Sequence, residues 1–361
     1  MQAKAHVPLA LRAVPEQAKV LASAVLLLFG VPSLSVIAAP QGQAAAAQTS
    51  SLSKSASAFK PSPWFNERIA WLNLDTGVRV HINAPEAESA AADKKLLLIY
   101  YALPNGNTIE QTIGKTVKPG DDWHFGIQHI GAQTRFLRQL LPERTVVVAY
   151  LENSLKSWPA WRKKFGDSAI PTILEAVKGL FPGSDAEIVL SGHSGGGSLI
   201  FGYLNTVDRI PLGIVRIAFL DANYAYEASR HEAKLVSWLN AAPQHYLCVL
   251  AYDDASALLN GKAFVTPKGG TWGKSHEMQS HLSEHFTFNC QTNGGFERFL
   301  AQNGRVQFIL KENPDRKILH TVQVERNGFI HSMVCGTPNE HRGYAYFWGG
   351  SDVYARWIQS D

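Results

Sequence analysis

Short runs of apolar residues alternate with longer amphipathic stretches along most of this 361-residue chain. Several short runs are almost wholly β-branched or aliphatic, as expected of strands that are buried on both faces. The pattern predicts strands at 78–82, 96–101, 145–150, 187–190, 214–220, 245–252 and 306–310. The amphipathic stretches predict helices at 127–141, 169–181, 198–204, 231–239 and 276–286.

The alternation of strands and helices predicts the fold class. Strands separated by helices form parallel sheets, and the helices then cover both faces of the sheet. We therefore expect an α/β protein, a three-layer sandwich with a mostly parallel central sheet. No second core is evident, so residues 61–361 are predicted to form one domain. The glycine-rich stretch 258–273 has poor periodicity and is interpreted as a cap or a lid loop.

The N-terminus has the parts of a secretory signal peptide. Basic residues precede an apolar stretch at 20–39, and small residues follow it, as in a cleavable leader. Residues 1–39 are therefore predicted to be a signal peptide, which implies export to the periplasm or the medium. The alternative is an uncleaved membrane anchor, since the apolar stretch approaches spanning length. Residues 40–60 are rich in Ala, Gln and Ser and are interpreted as a flexible linker.

Composition narrows the possible partners. The formal net charge is only +4, and the chain has no basic run of the kind that binds nucleic acid. After cleavage of the leader we expect no membrane partner. The three cysteines are Cys248, Cys290 and Cys335. A disulfide is permitted in an exported protein, and Cys290 with Cys335 is the one pairing we consider.

The strongest chemical motif follows the strand at 187–190 and reads Gly192-His193-Ser194-Gly195-Gly196. It fits G-x-S-x-G, and a helix is predicted directly after it, which is the strand–turn–helix context of a nucleophile elbow. The turn strains the backbone and lifts the serine Oγ above the sheet, and only glycine fits beside it. Ser194 is therefore the predicted nucleophile. The N–H of Gly195 is a predicted oxyanion donor.

This motif and the order of strands resemble the α/β-hydrolase superfamily, from about Val78 to the C-terminus. By this resemblance the strand at 96–101 leads to an oxyanion loop at 103–107. A backbone N–H near Asn105 or Gly106 would then supply the second oxyanion donor. The loop lacks the HGGG pattern of many lipases, so which N–H serves is left open between the two.

The resemblance also implies the chain order serine, acid, histidine. Three aspartates end strands after the elbow. They are Asp221, Asp253 and Asp254. Both strand ends are used for the acid in this superfamily. The segment Leu-Asp-Ala-Asn-Tyr around Asp221 looks like one found in exported bacterial α/β-hydrolases, which slightly favours Asp221.

Two histidines follow the last predicted strand and could act as the base. His320 comes soon after the strand, whereas His331 lies in a predicted closing helix at 327–334. A catalytic histidine usually lies on the loop, so His320 is preferred and His331 is the alternative. His193, next to the nucleophile, is expected to point away from the base position and to support packing.

Together these residues predict a serine hydrolase. Ser194 would form an acyl-enzyme that water releases, with an ester as the first choice of substrate and an amide or peptide as the second. The partner is then a small-molecule or peptide-like acyl compound, and the reaction needs no metal or organic cofactor.

Two other classes of function are considered. The first is a non-catalytic binding protein of the same fold, although the strained elbow argues against it. The second, more remote, is a zinc hydrolase, because 281–285 matches H-x-x-E-H and would place His281 and His285 on one helix face.

Overall fold

The computed structural model describes residues 59–86, 94–121, 128–263, 265–266, 268–346 and 352–360. The predicted signal peptide and most of the predicted linker lie outside these residues. Within the described residues, no helix is both long enough and apolar enough to cross a membrane.

The described residues form one eleven-stranded sheet and a small separate hairpin. The strands are β1 (Lys60–Pro61), β2 (Glu67–Leu74), β3 (Val78–Pro85), β4 (Lys95–Ala102), β5 (Arg144–Asn153), β6 (Glu187–His193), β7 (Ile214–Leu220), β8 (Tyr246–Tyr252), β9 (Leu258–Leu259), β10 (Lys262–Ala263), β11 (Asn289–Asn293), β12 (Phe296–Ala301) and β13 (Val306–Lys311). The α-helices are α1 (Ile109–Ile113), α2 (Ile130–Leu140), α3 (Trp158–Phe165), α4 (Ile170–Lys178), α5 (Gly197–Thr206), α6 (Ala228–Ala241), α7 (Thr271–Ser283), α8 (Val322–Glu325) and α9 (Gly328–Val334).

The sheet is parallel in its centre and antiparallel at both edges. Its strand order is β1-β2-β3-β5-β4-β6-β7-β8-β13-β12-β11. The pairs from β5 through β4, β6, β7 and β8 to β13 are all parallel. Helices cover both faces of the sheet, so the predicted fold class is confirmed, and the strand order is that of the α/β-hydrolase fold.

Two apolar cores lie on opposite faces of the sheet because successive side chains of a strand point to opposite sides. In β6, Leu190 belongs to the core that contains α5, and Val189 belongs to the core that contains α2 and α9. Both residues are almost fully buried. This burial on two faces explains the continuous apolar runs in the sequence. The packed central strands support the loops that follow the carboxyl ends of the strands.

Several edge elements were not predicted. Strand β2 is buried at only two of its eight positions and its apolar run is limited to residues 69–72, whereas β11 is exposed along its whole length and has no apolar run. The stretch predicted as a lid loop contains the β9–β10 hairpin and then the start of α7.

The cysteine pairing considered above is wrong. All three cysteines are free, and Cys290 lies exposed on the outer strand β11. Cys335 is buried beyond the end of α9, where its Sγ accepts a hydrogen bond from Arg216 Nη1 at 3.1 Å. The two sulfur atoms lie in different environments, and Cys248 is the cysteine that neighbours Cys335.

Candidate active site

Ser194 follows the last residue of β6 and opens a short 3₁₀ turn that leads into α5. Its φ of 54° lies in the left-handed region, which strains a non-glycine residue. The glycines around it are required by close backbone contacts. A Cβ on Gly196 would lie 2.1 Å from the Ala102 carbonyl oxygen, and one on Gly197 would lie 1.7 Å from the Ala222 carbonyl oxygen. The turn therefore has the geometry of a nucleophile elbow.

The loop after β4 lies directly against the elbow. A Cβ on Gly195 would lie 2.0 Å from the side-chain Oδ1 of Asn105, so the two residues are in contact. The Gly106 N–H donates to the Lys156 carbonyl at 2.8 Å. Gly106 was therefore wrongly predicted as an oxyanion donor, because its N–H already donates to a carbonyl in the segment that follows β5. Leu103 N–H is likewise used within the fold, and the residue after it is a proline, so Asn105 remains the predicted donor.

Asp221 and His320 are brought together from loops that follow β7 and β13. The two loops meet because the carboxyl ends of parallel strands lie at the same edge of the sheet. Asp221 Oδ2 accepts a hydrogen bond from His320 Nδ1–H, and Asp221 is fully buried whereas the His320 side chain is 12% exposed. Asp221 has a positive φ of 49°, in the left-handed region that strains a non-glycine residue. This contact fixes the imidazole tautomer with Nε2 free to accept a proton.

A second buried carboxylate lies behind the first. The Thr271 hydroxyl donates to Asp221 Oδ1, and it lies 3.3 Å from Asp254 Oδ2. Asp254 also accepts hydrogen bonds from the backbone N–H groups of Thr271 at 2.8 Å and Trp272 at 3.2 Å. Burial, followed by the negative charge of Asp221, raises the pKa of Asp254 to about 7. Asp254 therefore caps the N-terminus of α7 and supports Asp221 through the threonine, rather than contacting a histidine.

The adjacent Asp253 has a local role. Its two oxygens accept from the backbone N–H and the hydroxyl of Ser256, and it is half-buried. This is the pattern of a turn aspartate. Asp253 therefore contacts neither candidate histidine.

His193 is closer to the site than the sequence analysis predicted. Its ring lies 4.6 Å from the ring of His320, centroid to centroid, and its Nε2 lies 3.0 Å from the His320 carbonyl oxygen. A carbonyl can only accept, so His193 donates from Nε2 and is the Nε2–H tautomer. Burial lowers the pKa of His193 well below its ordinary value, which keeps the ring neutral. The expectation that His193 points away from the base was therefore wrong. The contact joins segments that are far apart in the sequence, so no local pattern indicated it.

His331, the alternative base, does not lie in this site. It is fully buried on α9, where its Nδ1 lies 3.0 Å from the Tyr344 hydroxyl. Its ring stacks on Tyr346 with centroids 4.8 Å apart. Burial lowers the pKa of His331 to about 3. The helix packs this ring into the core instead of presenting it to the elbow.

The H-x-x-E-H segment does not form the predicted zinc site. Helix α7 ends at Ser283, so the two histidines do not share a continuous helical face. His281 Nδ1 lies 3.4 Å from the Tyr226 hydroxyl, whereas His285 Nε2 lies 2.8 Å from Glu232 Oε1. Among the described residues, neither histidine belongs to a group of three potential metal ligands.

A cleft of about 510 Å³ opens beside the elbow and reaches Ser194, which is half-buried. One wall comes from α3, where Arg162 forms two hydrogen bonds to Asp167, at 2.6 and 2.8 Å, and one to Ser198 at 2.9 Å. The loop after β7 also lines the cleft and contributes Tyr224. The cleft has the size of a small-molecule site.

The arrangement lacks one hydrogen bond of a complete Ser–His–Asp triad. Among the hydrogen bonds of the described residues, none joins Ser194 Oγ to His320. The imidazole is nevertheless adjacent to the elbow, because it packs against His193. Catalytic hydrogen bonds are often long before substrate binds and then shorten.

The sequence matches no protein-family model and no curated protein. Solved structures that resemble the chain include a thermostable esterase, at 12% identity and a TM-score of 0.45, over 75% of this chain and 63% of that protein. Carboxyl esterase 2 from Tuber melanosporum matches at 11% identity and a TM-score of 0.38, over 91% and 99% of the two chains. A glucuronoyl esterase from Solibacter usitatus matches at 10% identity and 0.37, over 68% and 76%.

Proposed function

We propose that this chain is a serine hydrolase that cleaves carboxylic esters through an acyl-enzyme on Ser194. The observation that carries the proposal is the shared sheet edge. There, the strained Ser194 elbow lies next to a histidine whose Nδ1–H is held by the buried carboxylate of Asp221. A neutral imidazole oriented in this way is the base that a serine hydroxyl needs in order to attack a carbonyl.

The reaction has two halves. Ser194 Oγ bonds to the carbonyl carbon of the substrate while its proton passes to His320 Nε2. The tetrahedral intermediate then expels the alcohol, which takes that proton. Water adds to the acyl-enzyme by the same route, with His320 again accepting a proton, and the acid product leaves as the serine hydroxyl is restored.

The negative charge on the carbonyl oxygen needs preorganised donors. The N–H of Gly195, at the start of the elbow turn, is one candidate, and the N–H of Asn105 is the other. The Asn105 side chain lies against Gly195, which supports a shared oxyanion site for these two residues. Each donor of this kind contributes roughly a hundredfold or more to kcat.

Two residues position the base without touching the substrate in this mechanism. Thr271 holds one oxygen of Asp221, so the other oxygen stays directed at the imidazole. His193 holds the backbone carbonyl of His320. Both contacts reduce the freedom of the base before the substrate arrives, which lowers the entropic part of the barrier.

The cellular setting is part of the proposal. The basic and apolar pattern of residues 1–39 supports export, and the substrate is then an acyl compound encountered outside the cytoplasm. The cleft of about 510 Å³ supports a small molecule or the end of a larger chain.

The test is hydrolysis of p-nitrophenyl acetate and butyrate, with p-nitroanilides as the amide arm. We expect ester hydrolysis by the wild type, and loss of at least a thousandfold in kcat for Ser194→Ala. Ser191→Ala is the matched control, because Ser191 is buried in β6 three residues earlier and should leave kcat within about twofold. Equal activity in Ser194→Ala and the wild type would contradict the mechanism, whereas faster anilide than ester cleavage would make the chain an amidase.

A further inference from the structure

Three side chains of residue types that commonly bind metals lie close together, away from Ser194. They are His331 on α9 and Glu340 and His341 on the segment that follows it. Glu340 accepts a hydrogen bond from Gln307, near the amino end of β13, whereas the catalytic candidates follow the carboxyl ends of the strands. The mechanism proposed above uses none of these three residues.

The distances fit a single tetrahedral ion. One donor atom from each residue lies within 4.8 Å of the other two. Glu340 Oε1 and His341 Nε2 are 3.4 Å apart. Donors bound to zinc at about 2.0–2.2 Å lie roughly 3.3–3.6 Å apart at the corners of a tetrahedron. One pair already has this spacing, and separations of up to 4.8 Å to the third donor exceed it by about 1.2–1.5 Å.

The rings are also spaced as two ligands of one ion would be. The ring centroids of His331 and His341 are 5.4 Å apart. Two imidazoles that share a tetrahedral zinc ion have centroids roughly 5 Å apart, since each ring extends about 3 Å from the metal.

Neighbouring hydrogen bonds hold the ligands in place. Glu340 Oε2 accepts from Gln307 Nε2 at 2.9 Å and from the Gly336 N–H at 2.6 Å. These bonds anchor one oxygen and leave Oε1 on the side of His341. His331 Nδ1 lies 3.0 Å from the Tyr344 hydroxyl. Metal-binding histidines and carboxylates commonly have such partners, which orient the ligand and increase its affinity.

We propose that His331, Glu340 and His341 bind one Zn²⁺ ion, with water as the fourth ligand. Two imidazole nitrogens and one carboxylate oxygen are a donor set that suits zinc. His331 lies on α9 and the other two ligands lie beyond it, so the ion ties the segment 336–346 to the helix. The site stabilises the fold, and it is independent of the reaction proposed at Ser194.

The test is titration of the chelator-treated protein with ZnCl₂ by calorimetry. We expect one saturable site in the wild type and at least a tenfold increase in Kd for His341→Ala. The His341 side chain is 53% exposed, so its removal should leave folding unaffected. Thermal unfolding gives a second measurement, in which zinc raises the Tm of the wild type but not that of His341→Ala, because only binding to the folded state stabilises it.

His285→Ala is the matched control. His285 is also a partly exposed histidine within 2.8 Å of a glutamate oxygen, but it has no third ligand nearby among the described residues. This variant should bind zinc with the Kd of the wild type. The proposal would be overturned by a wild type that shows no saturable zinc binding, or by equal Kd values for His341→Ala and His285→Ala.

Discussion

Replacing Asp221 with asparagine tests the imidazole tautomer on which the mechanism depends. The change keeps the shape of the side chain but turns one acceptor oxygen into an NH₂ donor. The Thr271 hydroxyl donates to one of the two side-chain atoms, so the asparagine would place its oxygen there. Its NH₂ would then face His320 Nδ1, which would have to accept. The ring would carry its proton on Nε2 and could not take one from Ser194.

The size of the effect follows from this wrong tautomer. An exchange of this kind at the acid of a serine hydrolase lowers kcat by about 10⁴-fold. This loss corresponds to about 5.4 kcal/mol of transition-state stabilisation at 1.36 kcal/mol per factor of ten. The free energy of unfolding should change less, by about 1.5–3 kcal/mol for a hydrogen bond to a charged group.

The assay is the steady-state hydrolysis of p-nitrophenyl acetate by Asp221→Asn and by Asp253→Asn. Asp253 contacts only Ser256 through its side chain, so its variant should keep kcat within about twofold. The reasoning would be refuted if Asp221→Asn kept more than a tenth of the wild-type kcat, or if Asp253→Asn lost the greater part of it.

Three further outcomes are expected. His193→Phe should lower kcat about fivefold at a nearly unchanged KM, because the His320 carbonyl loses a hydrogen bond of about 1 kcal/mol. An unchanged kcat would show that the contact is irrelevant. Burial raises the pKa of Asp254 to about 7, so the folded state binds the proton of this carboxyl group more tightly than the unfolded state. The protonated carboxyl therefore adds to the free energy of unfolding at low pH, and this contribution is lost from about pH 4 to 7. Urea unfolding should therefore show the wild type losing stability relative to Asp254→Asn as pH rises through this range, and parallel curves would contradict it. Gly195→Ala should lower kcat at least tenfold while Tm changes little. The new Cβ must displace the Asn105 side chain, which lies 2.0 Å from it. Kinetics equal to those of the wild type would argue against the loop after β4 as part of the oxyanion site.

The buried centre of the fold could be predicted from the sequence because its signal is local. Continuous apolar runs mark the parallel strands, and strand β7 was predicted with the bounds that the structure shows. Strand β11 was missed because all of its residues are exposed and it has no such run. Strand β2 was missed because its apolar run covers only residues 69–72 and it is buried at only two positions.

The candidate site likewise has residues that could be predicted from the sequence and residues that could not. The elbow at Ser194 is a contiguous motif, so its serine and glycines could be identified directly. The choice among three aspartates could not be made on local grounds, because each of them ends a strand, and only the fold shows which carboxylate meets His320. The roles of His193 and Thr271 depend on contacts with residues 127 and 50 positions away, and no local pattern carries that information.

The most direct test of the central claim is labelling of the protein with a fluorophosphonate, followed by peptide mass spectrometry. An activated serine displaces fluoride and keeps the phosphonyl group on its oxygen. We expect one adduct on Ser194, none in Ser194→Ala, and labelling slowed by at least a hundredfold in His320→Ala. An unlabelled wild type, an adduct on a different serine, or equal labelling rates for His320→Ala and the wild type would contradict the account.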